Sequence, residues 1–156
     1  MYSINQLSDG KLLVLGNFTQ LNSSLANGII RITSNGVTDT TFNSISGFSS
    51  ISSSLFSPNS VVEQSDGKII CGGFFEFYSG ISANYICRLN TDGSLDNTYS
   101  TGAGFNNFVF SIAKQSTGKV IVGGGFTTYN GSSANYICRL NTDGTIDTTF
   151  NSGNPA

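Results

Sequence analysis

The chain has no histidine and little charge, with seven Lys and Arg and nine Asp and Glu in 156 residues. Charged residues make up 10% of it, against roughly 25% in an ordinary soluble protein. Without histidine, the many serines lack the base partner that nucleophilic catalysis requires. The three cysteines, Cys71, Cys87 and Cys138, form no C-x-x-C pair. With no histidine to join them, a structural zinc site is not expected, nor any other metal or cofactor. They read as small buried hydrophobes. A bridge between Cys87 and Cys138 would need close Cα atoms, which their spacing alone does not provide. Apolar runs such as residues 12–15 are too short to span a bilayer, so no membrane insertion is expected. Met1 is followed directly by patterned sequence, so no secretory signal is expected there. A net charge of −2 gives no electrostatic reason to expect nucleic acid as a partner. The 3.6-residue apolar period of a helix is missing as well.

What the chain does have is repetition. Asn135-Tyr136-Ile137-Cys138-Arg139-Leu140-Asn141-Thr142-Asp143-Gly144 recurs almost letter for letter at residues 84–93, and in a worn form at residues 28–36. Three ladders set the period: Gly10, Gly67, Gly118; Arg31, Arg88, Arg139; Asp39, Asp96, Asp147. Each steps by 57 and then 51 residues, a spacing that means a solenoid, a propeller or a similar array. The six extra residues of the first step fall between Gly47 and Gly67, in the Ser-rich run 49–60.

Within a unit the pattern predicts four strands, at residues 109–115, 119–122, 136–141 and 145–150 in the third copy. The tetrapeptide Asn90-Thr91-Asp92-Gly93 fits a type I turn with Gly in the left-handed region. That register sets Asn90 opposite Ser94, and Arg88 opposite Asp96 as a cross-strand ion pair. Arg139 with Asp147, and Arg31 with Asp39, follow the same rule. Of the 16 charged residues, 13 occupy positions repeated in at least two units, and only Glu63, Glu76 and Lys114 do not. A charge that recurs with the structural period reads as structural.

Four antiparallel strands per roughly 50-residue unit predict an all-β propeller of three four-stranded blades, at about 1–47, 58–104 and 108–153. Closed propellers use about 4 to 8 blades, and both end faces of a three-blade array would expose apolar surface. Closure through a homo-oligomer is therefore expected, favouring a dimer with a six-bladed ring. Another structural subunit is the alternative partner.

The segment Gln-Ser-Asp-Gly-Lys-Ile-Ile-Cys-Gly-Gly-Phe at 64–74, followed by Cys87-Arg88-Leu89-Asn90-Thr91-Asp92-Gly93-Ser94-Leu95-Asp96, resembles the delta-60 repeat family. The first unit departs from it, with Leu15 in place of the first Gly of the pair and Thr33-Ser34-Asn35 in place of Asn-Thr-Asp. The resemblance implies a β-propeller of unknown function, found in large bacterial surface or secreted proteins and in some phage proteins. It brings no catalytic residues. It implies a scaffold or binding module that is extracellular, on a cell surface or on a virion.

Four candidate sites have plainer readings beside them. Asn90, Asp92 and Asp96 resemble part of a Ca²⁺ loop, but the hairpin turn accounts for all three and the set holds too few carboxylates. Asp96 and Asp147 resemble an acid–base pair, but each has an arginine opposite it that would hold it ionised. Gly123-Gly124-Gly125 lacks the following helix that a phosphate cradle uses, and reads as close backbone packing. Among the aromatics, Phe74 pairs with Phe126 and Tyr78 with Tyr129. Phe75 and Phe77 then replace small residues and break the symmetry. Phe56, Phe75, Phe77 and Tyr78 are thus the candidate binding residues, for a glycan or peptide, although core filling between blades is the plainer reading of bulky side chains there. The expected role is a non-catalytic structural or adhesion subunit. A lectin-like module is the alternative, and a hydrolase with channel-facing carboxylates the remote one.

Overall fold

The computed structural model describes residues 3–21, 23–43, 47–51 and 56–150. Parts of the expected blades and of the Ser-rich run, namely residues 1–2, 22, 44–46, 52–55 and 151–153, lie outside the described residues. All regular elements described are strands.

The first unit contains β1 (Ser3–Gln6), β2 (Leu12–Leu15), β3 (Gln20–Leu21), β4 (Ser24–Leu25) and β5 (Ile29–Ile32). A linking strand, β6 (Phe48–Ser49), follows. The second unit contains β7 (Ser57–Glu63), β8 (Ile69–Phe74), β9 (Phe77–Tyr78), β10 (Ile81–Ser82) and β11 (Ile86–Leu89). The third contains β12 (Val109–Lys114), β13 (Val120–Gly124), β14 (Thr128–Tyr129), β15 (Ser132–Ser133) and β16 (Ile137–Leu140).

Each unit is an antiparallel sheet whose middle strand is apolar on both faces. The orders are β1-β2-β5, β7-β8-β11 and β12-β13-β16. The fourth position of each sheet is one bridged residue rather than a run: Ile32 pairs Thr38, Leu89 pairs Leu95 and Leu140 pairs Ile146. The chain then turns away, because the side chain of the next residue, an Asp in every unit, caps the bend. Its Oδ1 accepts the backbone N–H of Thr41, Thr98 or Thr149 at 3.0 Å. The hairpin turns have the expected register. Asn90 N donates to Ser94 O at 2.8 Å, Asp96 N to Arg88 O at 2.8 Å, and Gly93 sits at φ 82°.

The polar loop between the second and third strands holds a small hairpin, β3-β4, β9-β10 or β14-β15. The linker of the preceding unit inserts into it. Phe48 of β6 pairs Tyr78 of β9, and Phe105 bridges Tyr129. Phe48 packs on Phe75 and Tyr78, and Phe105 on Phe126 and Tyr129, with ring centroids 4.1–4.9 Å apart.

The core lies between units, not within them. Leu13 and Ile29 of the first unit share a buried cluster with Val61, Ile69 and Phe75 of the second. Ile70 and Ile86 of the second share one with Ile112, Val120 and Phe126 of the third. Burying each such side chain is worth about 1.5–3 kcal/mol, so the junctions hold the array together. The first strands approach one another closely, with β12 against β7 and β8, and β1 against β7. Ile112 N donates to Ser60 Oγ across that gap at 3.0 Å.

Gly72 of β8 shows how tight a junction is. A Cβ there would lie 2.5 Å from Val109 Cγ1 and 2.8 Å from Ile112 Cδ1 of the next unit. Its equivalent, Gly123, has no atom closer than Tyr136 O at 3.9 Å. Gly72→Ala is therefore expected to cost about 1–3 kcal/mol through overpacking. In a single chain, at dilutions where no second copy is bound, Gly123→Ala is expected to be neutral or slightly stabilising, since a strand glycine carries an entropic cost. Urea denaturation of the two variants checks the contrast.

Candidate functional site

The densest polar arrangement in each unit is built around the repeated aspartate. In the second unit Asp96 Oδ2 accepts from Arg88 Nε at 2.7 Å and from Lys68 Nζ at 2.8 Å. Its Oδ1 accepts from Thr98 Oγ1 at 2.6 Å. In the first unit Asp39 Oδ2 meets Arg31 Nε at 2.8 Å and Lys11 Nζ at 2.9 Å, with Thr41 Oγ1 on Oδ1. In the third, Asp147 meets Arg139 Nε, Lys119 Nζ and Thr149 Oγ1 at 2.6–2.7 Å. Each guanidinium also lies over an aromatic ring: Arg31 on Phe42, Arg88 on Tyr99 and Arg139 on Phe150. Such stacking suits the flat, weakly hydrated guanidinium.

The cage also reaches the next unit. Arg31 Nη1 donates to Thr91 O at 2.6 Å, and Arg88 Nη1 to Thr142 O at 2.9 Å. Those carbonyls belong to the hairpin turns of the following unit. One arginine therefore fixes its own strand, the bend after it and its neighbour.

The carboxyls are held ionised. For Asp39 the bond from Thr41 dominates, with Lys11 and Arg31 adding to it against burial. For Asp96 burial is the largest influence and pushes upward, but Lys68, Thr98 and Arg88 together outweigh it. For Asp147 the Lys119 bond leads, followed by Thr149. All three pKa values fall well below the usual carboxylate range. A group of this kind is a poor general acid or base near neutral pH. Asp92 Oδ1 accepts from Ser94 N and Oγ at 2.9 and 2.6 Å, which ties that carboxylate to its own turn. Among the described residues no three His, Cys, Asp or Glu gather as metal ligands.

The sequence reading counted the lysines Lys11, Lys68 and Lys119 among the recurring charges without giving them a partner, and it passed over the threonines Thr41, Thr98 and Thr149 and the rings Phe42, Tyr99 and Phe150. All three sets step by 57 and 51 residues, so the period could have found them.

The aromatic expectation needs correction. The equivalents of Phe126 are Phe75 and Phe18, at the same 51- and 57-residue steps. Phe75 is thus a regular repeat residue, and Phe74 is the odd one, standing where the third unit has Gly125. Phe75 and Tyr78 are completely buried under the linker ring Phe48. They fill a junction and leave no face for a ligand. Tyr78 Oη donates to Gly93 O, 2.5 Å away. Phe56 is half-buried and lies over Gly28, and Phe77 is half-buried in β9. The structure instead gathers Phe74, Tyr85 and Phe108, all half-buried. Phe108 meets Phe74 edge-on at 4.4 Å and Tyr85 at 5.7 Å. Phe110 nearby is exposed, with its ring 3.8 Å from the Cβ position of Gly125.

The aperiodic acids are clips. Glu63 accepts from Ser8 N and Oγ at 2.7 and 2.8 Å, joining the first two units. Glu76 accepts from Ser50 Oγ and Ile51 N at 2.8 and 2.7 Å, holding the linker after β6. Glu63 and Lys114 also line an open cleft of about 250 Å³ beside the first strands.

Repeated three-stranded sheets, packed face to face with their first strands together and tied by a recurring cage, define a β-propeller repeat protein. The chain belongs to the family described as a domain of unknown function (DUF5122) beta-propeller, which it matches over residues 7–42, 64–99 and 115–150. Each matched window runs from the residue that opens the first hairpin turn to the ring beneath the arginine. A search of curated proteins gave no match.

Two outcomes are expected from the cage. Asp96→Asn leaves Arg88 and Lys68 without their anion and lowers the free energy of unfolding by about 3 kcal/mol. Because the three carboxyls are depressed in the folded chain, they stabilise it above the unfolded-state carboxyl pKa of about 3.9. That contribution is lost as pH falls through the folded values. Denaturant midpoints measured downward from neutral pH should hold steady and then fall in acid. Tyr99 offers a third test. Its hydroxyl is buried and finds no hydrogen-bond partner among the described residues, and Phe42 and Phe150 stand at the equivalent positions. Tyr99→Phe is expected to raise stability by about 1 kcal/mol in thermal or urea unfolding.

Proposed function

We propose that this chain is a non-catalytic structural or adhesion module, a propeller subunit of a virion or cell-surface assembly. The observation that carries the reading is the threefold cage. The charged side chains best placed for chemistry are paired with one another around buried carboxylates and repeated with the period of the fold. A catalytic centre needs a group with a free lone pair or a shifted pKa near working pH, in one place. The surface around the cages is rich in Ser, Thr, Asn and Gly and poor in charge, which suits a scaffold presenting loops. The resemblance to repeats of surface and phage proteins supports the extracellular placement.

A panel of chromogenic glycosides, esters and peptides incubated with the chain is expected to stay uncleaved. Turnover that disappears in Asp147→Asn would end the reading. Antibodies to the chain should label the surface of the producing cells or of released particles, and labelling confined to the cell interior would remove the placement.

A second reading, a glycan- or peptide-binding module, is favoured by the cluster of half-buried rings Phe74, Tyr85 and Phe108. Aromatic faces of this kind stack on sugars or anchor a partner. A glycan or peptide array should then give hits that Phe74→Ala or Phe108→Ala abolishes. A blank array would dismiss it.

A further inference from the structure

The two outer faces of the array are the two halves of one junction. Each junction inside the chain joins a trailing face to a leading face. The trailing face carries Leu13, Ile29 and Phe42 in the first unit, and Ile70, Ile86 and Tyr99 in the second. All six are buried. Their equivalents in the third unit are Ile121, Ile137 and Phe150. Ile137 is 38% exposed, where Ile29 and Ile86 are 0%. Ile121 and Phe150 are only half-buried.

The leading face shows the reverse pattern. Ile4 of the first unit is 54% exposed, where its equivalents Val61 and Ile112 are 6%. Phe18 is half-buried, where Phe75 and Phe126 are fully buried. Val14, Ala26 and Ile30 form a third, smaller cluster there, flanked by partly buried Phe18, Leu21 and Ile32. It is half of the junction core seen twice elsewhere.

The polar groups repeat the mismatch. Arg31 and Arg88 each reach a turn carbonyl of the following unit, and their side chains are 8% and 9% exposed. Arg139 reaches no such carbonyl among the described residues and is 22% exposed. By the repeat spacing its carbonyl partner would be Ser34 O, on the leading face of a first unit.

We infer that a second copy of this chain docks head to tail, its first unit on the third unit of the other, and that the reciprocal contact closes a six-unit ring. The occupant follows from complementarity. The trailing face around Ile121, Ile137 and Phe150 matches the type and spacing of two faces that already pack on a leading face. The leading face around Ile4 and Phe18 matches the two that receive them. Ile4 of the copy lies over Gly123 as Ile112 lies over Gly72, and the open space at Gly123 admits it. The contact is heterologous, so it gives a ring when the rotation closes. Six units fall within the range of about 4 to 8 blades that closed propellers use.

Light scattering and sedimentation of the purified chain over a dilution series are expected to give a dimer. Ile4→Glu and Ile137→Glu, both at exposed positions, should each raise its dissociation constant at least about tenfold while leaving the circular dichroism unchanged. A monomer at all concentrations, an open-ended polymer, or a dimer sensitive to only one of the two substitutions would overturn the inference. Should either variant misfold, an Ile4→Cys, Gly123→Cys double variant with a short thiol-reactive crosslinker gives a separate readout. Covalent dimers are expected, and their absence would overturn the docking mode. The cleavage panel is independent of this result, so a monomer without activity would still leave the scaffold reading in place.

Discussion

The structure depends on the arginine of the third strand. In the first two units it bonds in three directions: to the aspartate across its hairpin, to the threonine of the bend, and to a carbonyl of the next unit. An arginine is suited to this because its fork is planar and always charged. A lysine at the same position would supply one point charge and lose both the ring beneath it and the distant carbonyl. Burying such an ion is unfavourable unless its partners surround it. Here Asp, Thr, a backbone oxygen and an aromatic face do so together in the first two units. The arrangement is therefore a specificity device as much as a source of stability. It makes one registration of neighbouring sheets satisfactory and leaves charges unmatched in the others.

Around that polar pin the apolar contacts are ordinary but unusually placed. No unit encloses a core of its own. Its middle strand shows side chains to both neighbours, and the two larger clusters each belong to a pair of units. Local hydrogen bonding sets the sheets, and the next repeat supplies the burial. Such a chain gains stability by nearest-neighbour terms, as repeat proteins do. Its low charge fits this plan, because wide faces covered on both sides leave little perimeter for ions.

Much of this was written in the sequence. The Gly, Arg and Asp ladders give the period, and the Asn-Thr-Asp-Gly turn gives a register that the backbone bonds reproduce. What the ladders did not show has physical causes. The fourth strand shrinks to one bridged residue because the aspartate side chain takes over the hydrogen bonds that would have continued it. The small hairpins β3-β4, β9-β10 and β14-β15 are two residues per strand, too short for any alternation to reveal them. The off-by-one pairing of Phe74 with Phe126 arose from counting outward from the glycine pair where two phenylalanines are adjacent. Counting from the arginine identifies Phe75. Burial then follows from a partner, Phe48, that lies in the linker outside the three ladders and recurs 57 residues on as Phe105.

That linker ring has a consequence for how such chains grow and recombine. Phe48 and Phe105 precede the sheets they complete, so the heritable module does not coincide with the visible blade. A duplication cut flush with the first strand would deliver a hairpin without its plug and strand the plug on the donor. Exchange that carries the tether together with the blade keeps every socket filled. The unit of descent is thus a blade plus the few residues upstream of it.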